Sequence, residues 1–278
     1  MTAWIDGRLL PLTEARVSVL DHGVTVGNGV FETLRVYGGR PFAWTRHLAR
    51  LHRSAEALGL EVPDGDDLLD APPAVLKPDA IAEGRQRITV TGGIAPPGSG
   101  RGDGPHTAIV VAAPLEPAAT TTRVAVVPWT RNEQDACAGL KTTSYAGNVR
   151  ALALAVERGA SEAIFGNPVG NLCEGTGSNV FVVRDGTVTT PPAAAGCLLG
   201  VTRDLVLERA AALGLPATEA HIPLADLTRA DEAFLTSTTR EVQGIAAVDG
   251  HVFPAAPGPI TGRLAAAFTE LVASDPDP

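Results

Sequence analysis

The chain has 278 residues, 45% of them hydrophobic and 19% charged, enough to bury a sizeable core in one large domain or two smaller ones. A net charge of −9 argues against a nucleic-acid surface, which needs clustered Lys and Arg to neutralise phosphates. Three cysteines without CxxC spacing and six scattered histidines without an HExxH pattern indicate neither a disulfide framework nor a zinc site.

Taken in order, residues 3–12 read as a hairpin around Asp6-Gly7, a dipeptide that favours a type I′ turn. Acidic Asp6 close behind Trp4 and Ile5 does not read as a leader, and no apolar run approaches the roughly 20 residues of a membrane helix, so a cytoplasmic location is expected. A second hairpin is expected from residues 30–37, Gly38-Gly39 and residues 40–44, preceded by a glycine-rich loop at 21–29. Thr45 is the expected N-cap of a helix running to Leu58 and closed by Gly59, with Leu48, Leu51, Ala55 and Leu58 facing inward. Arg50 lies off that stripe, either at its margin with its head reaching a cleft or as a solvated helix arginine.

Residues 64–84 weaken into a Pro- and Asp-rich stretch with one short helix. A strand at 87–91 enters the glycine-rich loop 92–104, whose one cation is Arg101; such loops are substrate lids or exposed connections. A strand at 106–113 completes a first domain, 1–114, and residues 115–121 read as a linker to a second, 122–278. There a strand at 122–127 leads through Gly139 to Lys141, followed by a helix at 148–158. Short strands at 162–165, 171–173, 180–183 and 187–190, joined by tight turns, imply a barrel-like or strongly twisted sheet. A helix at 203–213 is introduced by Gly200-Val201-Thr202, a strand at 233–235 ends in four hydroxyl residues, Thr236 to Thr239, and a helix at 260–273 closes the chain.

The chemistry centres on one amine. Only two lysines stand against twenty arginines, and a guanidinium cannot condense with a carbonyl, whereas a partly desolvated lysine loses its proton readily. Lys77 sits beside Pro78 and Asp79 in a polar stretch; Lys141 instead follows Gly139-Leu140 and lies 33 positions before Glu174, in Cys173-Glu174-Gly175-Thr176-Gly177-Ser178-Asn179. A helix starting at Gly200-Val201-Thr202 offers free amides and a positive dipole end, and Thr236-Ser237-Thr238-Thr239 offers hydroxyls, so both are candidate phosphate seats. No Walker or Rossmann fingerprint explains them. A cofactor with one phosphate, one aldehyde and one basic ring nitrogen, pyridoxal phosphate, accounts for all of these together. Lys141 would condense with the aldehyde and later move the substrate α-proton, and Glu174 would hold a proton on the ring nitrogen. Val201, Thr202, Ser237, Thr238 and Arg50 would hold the phosphate.

The motifs Gly29-Val30-Phe31-Glu32-Thr33, His47-Leu48-Ala49-Arg50-Leu51, Leu140-Lys141-Thr142-Thr143, Cys173 to Phe181, Leu199-Gly200-Val201-Thr202-Arg203 and Asp231 to Thr238, in this order, resemble the class IV, or fold-type IV, aminotransferases nearly end to end. That family includes branched-chain aminotransferases, D-amino-acid transaminases, (R)-amine transaminases and aminodeoxychorismate lyases. The resemblance implies an α+β fold with a small α/β N-terminal domain, a larger pseudo-barrel C-terminal domain, and a homodimer. It supports the roles given to Lys141, Glu174, Arg50, Val201, Thr202 and Thr238. It places Leu198 against the ring face, a position equally compatible with a plain buried leucine, and makes Tyr145 a candidate partner of the cofactor's phenolic oxygen. Phe31, Arg87 and Arg101 become candidate substrate residues. The lid lacks the Arg-x-His pair of bacterial D-amino-acid transaminases, and Arg87 matches the strand arginine of branched-chain enzymes. Arg87 with Gly98-Ser99-Gly100-Arg101-Gly102 resembles the lyases, and Thr236 to Glu241 reads most like D-amino-acid transaminases. The expectation is a transaminase acting on D-amino acids and an α-keto acid such as 2-oxoglutarate, with the lyase that releases 4-aminobenzoate and pyruvate as the alternative, then branched-chain or (R)-amine transamination. A catalytically idle homologue that only binds the cofactor is the reading from another class, and it would retain no need for both Lys141 and Glu174.

Overall fold

The structure, a computed structural model, describes residues 1–63 and 65–278; Asp64, where the Pro- and Asp-rich stretch begins, and the side chains of residues 65–67 and 69 lie outside that description. Packing gathers the chain into two units. The first is Met1–Glu116 with Leu140–Tyr145 and Asp275–Pro278, and the second is Pro117–Gly139 with Ala146–Ser274.

In the first unit, β1 (Thr2–Ile5) and β2 (Arg8–Pro11) form a hairpin whose turn residues Asp6 and Gly7 have φ of 46° and 80°, as a type I′ turn requires. A short helix α1 (His22–Thr25), capped by the Asp21 carboxylate, leads to β3 (Gly29–Tyr37) and β4 (Arg40–Pro41). Helices α2 (Trp44–Leu58) and α3 (Gly65–Leu76) follow, then β5 (Gly84–Thr91) and β6 (Thr107–Pro114). The sheet is antiparallel throughout, in the order β2-β1-β6-β5-β3-β4. Strand side chains alternate, so Val30, Leu34 and Val36 share one face of β3, and they pack with Leu51 and Ala55 of α2 and Val75 of α3. Each fully buried aliphatic side chain of this kind contributes about 1.5–3 kcal/mol.

The start of α2 differs from the expected Thr45 cap. Ala43 precedes the helix in the left-handed region at φ 54° and offers no side-chain cap. The cap comes from the end of the chain: Thr45 donates its amide and its hydroxyl to the Asp277 carboxylate at 2.9 and 2.6 Å, and the Ala43 amide donates to the Pro276 carbonyl at 2.9 Å. A carboxylate at a helix N-terminus satisfies open amides and meets the positive end of the dipole. Because Trp44 already belongs to the helix, the second hairpin's return strand is only Arg40–Pro41. Asp277→Ala is expected to lower stability by about 1 kcal/mol, read as a shifted urea midpoint. An unchanged midpoint would remove this capping role.

The second unit runs β7 (Thr121–Thr130), α4 (Ala146–Glu157), β8 (Glu162–Gly166), β9 (Leu172–Gly175), β10 (Asn179–Arg184) and β11 (Thr187–Thr190). It continues with α5 (Val201–Ala212), β12 (Ala217–Glu219), β13 (Glu232–Ser237), β14 (Glu241–Val248), β15 (His251–Val252) and α6 (Pro259–Ser274). The strand order is β12-β11-β10-β13-β14-β7-β8-β9, with β15 added to β14. The β11–β12, β14–β7 and β7–β8 pairs are parallel, and the others are antiparallel. Register shifts at Ile245/Ala247, Val126/Thr130 and Phe165/Gly166 bend the strands, giving a curled half-barrel over a core that includes Val124, Ile164, Leu172, Val180, Leu235 and Ile245. The mixed α+β architecture with its curled sheet agrees with the α+β fold that the resemblance implies. No helix among the described residues is long and apolar enough to cross a membrane.

The segment that carries Lys141 packs with the first unit rather than with the chain on either side of it. Backbone pairing causes this: Phe31 donates its amide to the Lys141 carbonyl at 3.0 Å, and Thr143 donates to the Gly29 carbonyl at 2.8 Å, so residues 141–143 extend alongside the start of β3.

Candidate active site

In the first unit, β3 presents different chemistry on its two faces. Glu32 sits among Val30, Leu34 and Val36 on the apolar face and is fully buried. It survives there because α2 brings two partners. Arg50 donates from Nε and Nη2 to the two carboxylate oxygens at 2.7 and 2.8 Å, and His47 Nδ1 lies 2.7 Å from Oε2. Burial alone would raise the Glu32 carboxyl; the charge and hydrogen bonds of Arg50, joined by those of His47, outweigh it and hold the group far below the ordinary carboxylate range. Burial pulls the His47 imidazole below its ordinary value of 6.5 despite Glu32 beside it, so His47 is neutral near pH 7 and donates to the carboxylate. Arg50 therefore lies inside the protein, in a bidentate pair, rather than on a solvated helix face.

The opposite face of β3 carries Phe31, and around its ring the structure brings together three further predicted residues. Arg87 stacks on it with Cζ 3.6 Å from the ring centroid, Lys141 Nζ lies 4.4 Å from the same centroid, and Tyr145 meets it edge-on at 5.2 Å. The sheet register explains the first contact: Phe31 faces Thr89 across the β3–β5 pair, Thr33 faces Arg87, and Arg87 Nε donates to Thr89 Oγ1 at 3.2 Å, which holds the guanidinium diagonally over the ring. Burial lowers the Arg87 pKa, but a guanidinium stays charged at any ordinary pH. Lys141 is half-buried and fixed through its backbone: its carbonyl accepts from Phe31, and its amide donates to Ser54 Oγ of α2 at 3.3 Å. Arg101 lies elsewhere, exposed, with its guanidinium packed against Gly59 at the C-terminus of α2. The base of its loop is tied down by the His22 amide bonding to the Gly93 carbonyl at 2.8 Å and by His22 Nε2 bonding to the Pro96 carbonyl at 3.1 Å. Lys77 is exposed at the end of α3.

In the second unit, Glu174 lies on β9, half-buried, and accepts the Leu198 amide at 2.9 Å on Oε2. Arg131 Nε comes within 3.1 Å of the other oxygen, close enough for an ion pair but without hydrogen-bond alignment. Arg131 also lies over the Phe165 ring and donates to Asn148, whose side-chain amide bonds the Thr176 carbonyl. Leu198 is thus held by its backbone at both ends, since Asn179 Nδ2 donates to its carbonyl at 2.7 Å. Helix α5 starts at Val201, two residues before the expected 203. Its N-cap, Gly200, supplies no side-chain hydrogen bond, so the first amides are left to another acceptor. Val201 and Thr202 there are buried, Ser237 at the end of β13 and Thr238 just after it are half-buried, and the buried Thr236 hydroxyl has no hydrogen-bond partner among the described residues. An uncapped helix start and an unsatisfied buried hydroxyl are the donor set an anionic phosphate needs, and a fixed carboxylate suits a protonated ring nitrogen, so these residues are chemically compatible with pyridoxal phosphate.

A sequence model for "Amino-transferase class IV" matches residues 29–248. The chain belongs to the class IV aminotransferases. This class IV chain is 32% identical over 284 residues to a branched-chain-amino-acid aminotransferase of Pseudomonas aeruginosa, covering 97% of this chain and 92% of that one. It is 31% identical over 291 residues to a D-alanine aminotransferase of Listeria innocua, covering 98% and 96%. Among solved structures, it matches a branched-chain amino acid aminotransferase from Thermobaculum terrenum in PLP-form with a TM-score of 0.88 at 29% identity, covering 98% of this chain and 93% of that one.

Sequence reasoning gave no role to Glu32 and His47 and did not single out Arg131, Asn148, Glu162 or Arg240. For Glu32 a signal existed: a carboxylate within the alternation Val30, Glu32, Leu34, Val36 is buried and requires a charged partner. The other residues act through partners distant in the chain, which no local pattern announces.

Proposed function

We propose that this class IV aminotransferase is a pyridoxal phosphate-dependent transaminase, passing an amino group between an amino acid, D-configured by preference, and an α-keto acid such as 2-oxoglutarate or pyruvate. One observation carries the reading: the Lys141 amine and the Arg87 guanidinium share the Phe31 ring as a platform, 4.4 and 3.6 Å from its centroid. A group that moves a proton and a group that binds a carboxylate thus lie together, as an α-amino acid demands. Lys141 would take and return the α-proton, with its backbone pinned by Phe31 and Ser54. Arg87 would bind the α-carboxylate, and Tyr145 would bound the platform. When bound, pyridoxal phosphate supplies the ring that delocalises the electron pair left by the departing proton. Glu174 would hold a proton at the ring nitrogen beside Leu198. The α5 start at Val201 and Thr202, with Ser237 and Thr238, would hold the phosphate. Arg50 would reach the phosphate only with the donors that Glu32 leaves to it. A homodimer, a cytoplasmic location and a domain division near residues 115–121 belong to the same reading.

The preference for D-amino acids is supported by the segment from Thr236 to Glu241 and by the D-alanine relative. Arg87 on the strand before the loop, and the branched-chain relatives, favour a second reading, transamination of branched-chain L-amino acids. The lyase reading relied on Arg101 as a second cation and is weakened by its exposed place against Gly59.

The test is a screen of D-alanine, L-leucine and aminodeoxychorismate, each with 2-oxoglutarate and cofactor, repeated with Arg87→Ala. Turnover of D-alanine to pyruvate with glutamate formation is expected. Turnover of L-leucine alone would select the second reading, and pyruvate from aminodeoxychorismate alone would select the lyase. Arg87→Ala should raise KM for amino and keto acid alike by about 10–100-fold, the equivalent of a charged hydrogen bond of about 1.5–3 kcal/mol, with kcat changed less. An unchanged KM would remove Arg87 from the site.

A further inference from the structure

Glu162, at the first position of β8, is buried and belongs to none of the groups assigned above. A buried carboxylate is costly unless its lone pairs are met, and here they are met from two directions. Oε1 accepts the Thr176 amide at 3.0 Å, the Thr176 hydroxyl, and the Ala163 amide at 3.0 Å; Oε2 accepts the Ser178 hydroxyl at 3.0 Å. These bonds fold the segment just after Glu174 tightly over the carboxylate. At Gly175, a Cβ would come 2.4 Å from Ser178 Oγ and 3.1 Å from the Glu162 side chain, so a larger residue there would push these two side chains out of place. From the other side, Arg240 Nε lies 3.7 Å from Oε2, an ion-pair distance. Arg240 is itself held by Ser161 and Gln243, and its backbone amide donates to Ser237 Oγ at 3.1 Å. One carboxylate thus anchors the segment that follows Glu174 and the turn that starts after Ser237 and contains Thr238.

We propose that Glu162 is a positioning residue that sets both ends of the cofactor seat at once, the ring-nitrogen end through Thr176 and Ser178 and the phosphate end through Arg240. This rests on the assignment of Glu174 and of Ser237–Thr238 to the cofactor. The two ends can be read separately with two probes, pyridoxal phosphate and pyridoxal, which differ only in the phosphate. Dissociation constants are measured by absorbance titration of the apo full-length protein, alongside circular dichroism and thermal melting. Ser178→Ala should weaken both probes by a similar factor. Arg240→Gln should weaken pyridoxal phosphate and leave pyridoxal unchanged. Glu162→Gln, nearly isosteric, should do both, weakening pyridoxal phosphate about tenfold or more and lowering its advantage over pyridoxal. Dissociation constants within twofold of wild type for both probes in Glu162→Gln would overturn the proposal. So would an equal loss for both probes accompanied by a lowered melting temperature, which is mere destabilisation. If Glu162→Gln does not fold, the Ser178→Ala and Arg240→Gln pair decides: the same probe pattern for both variants overturns the proposal. Wild-type protein that binds neither probe would instead reject the cofactor assignment itself.

Discussion

Replacing Lys141 with alanine is expected to abolish transamination, lowering kcat by at least about 10³-fold, because the group proposed to move the α-proton and to hold the cofactor is lost. Neither Lys77 nor Arg87 can compensate. The only other lysine, Lys77, is exposed at the end of α3, and Arg87, although on the same Phe31 ring, cannot give up its proton. The fold should survive, since the pairing that fixes this segment runs through the backbone: the Lys141 carbonyl with Phe31, the Lys141 amide with Ser54, and the Thr143 amide with Gly29. Two measurements check this. Steady-state turnover should vanish while circular dichroism stays unchanged. Borohydride trapping of the wild-type protein with pyridoxal phosphate should leave the cofactor's mass on the peptide containing Lys141 and not on the one containing Lys77. Trapping on Lys77, or full turnover by Lys141→Ala, would reject the assignment.

The second large effect concerns stability. Glu32→Gln should destabilise the protein by about 3–5 kcal/mol, because it leaves Arg50 charged and buried without its bidentate partner. The loss should be partly relieved in the double variant Glu32→Gln/Arg50→Gln, since removing both charges also removes the buried cation that Glu32 answered; additive losses would show that the pair is not coupled. The same cluster sets a pH dependence whose sign is fixed. The Glu32 carboxyl is depressed in the folded state, so its contribution is complete above the ordinary value of 4.5 and is lost as the pH falls below it. His47 is also depressed, and unfolding lets it take up a proton, which favours the unfolded chain as the pH falls below 6.5. Both slopes have the same sign. Urea midpoints should therefore decline from about pH 6.5 downward, and more shallowly below pH 4.5 in Glu32→Gln than in wild type. Parallel curves for the two proteins across that range would show that Glu32 is not the titrating group.

The resemblance to class IV enzymes rested on motifs that remain contiguous in the chain, and the elements those motifs sit on were legible for the same reason. The turn at Asp6-Gly7 and the stop at Gly59 depend on backbone angles that few residues adopt, and Gly59 does take φ 65°. The strands and the inward face of α2 follow from apolar periodicity among near neighbours. The lysine proposed here as catalytic could be singled out by scarcity, since two lysines in 278 residues leave little choice.

Other features were decided only when distant residues met. The cap of α2 lies 232 positions away at Asp277, so a window centred on Thr45 could only guess a local one. Lys141 pairs with β3, more than 100 positions earlier, and so joins the first unit although its neighbours in sequence belong to the second. Glu162 looks like an ordinary surface acid until Thr176, Ser178 and Arg240 close around it, and for Glu32, whose burial the alternation of β3 signals, only the fold supplies the partner, Arg50. By itself the sequence determined the properties that adjacency controls: backbone angles, periodicity, and which rare side chains exist to do chemistry. Only the tertiary structure decided which charges are buried and what answers them, because the cost of a buried charge depends on its partners in space, and those partners come from anywhere in the chain.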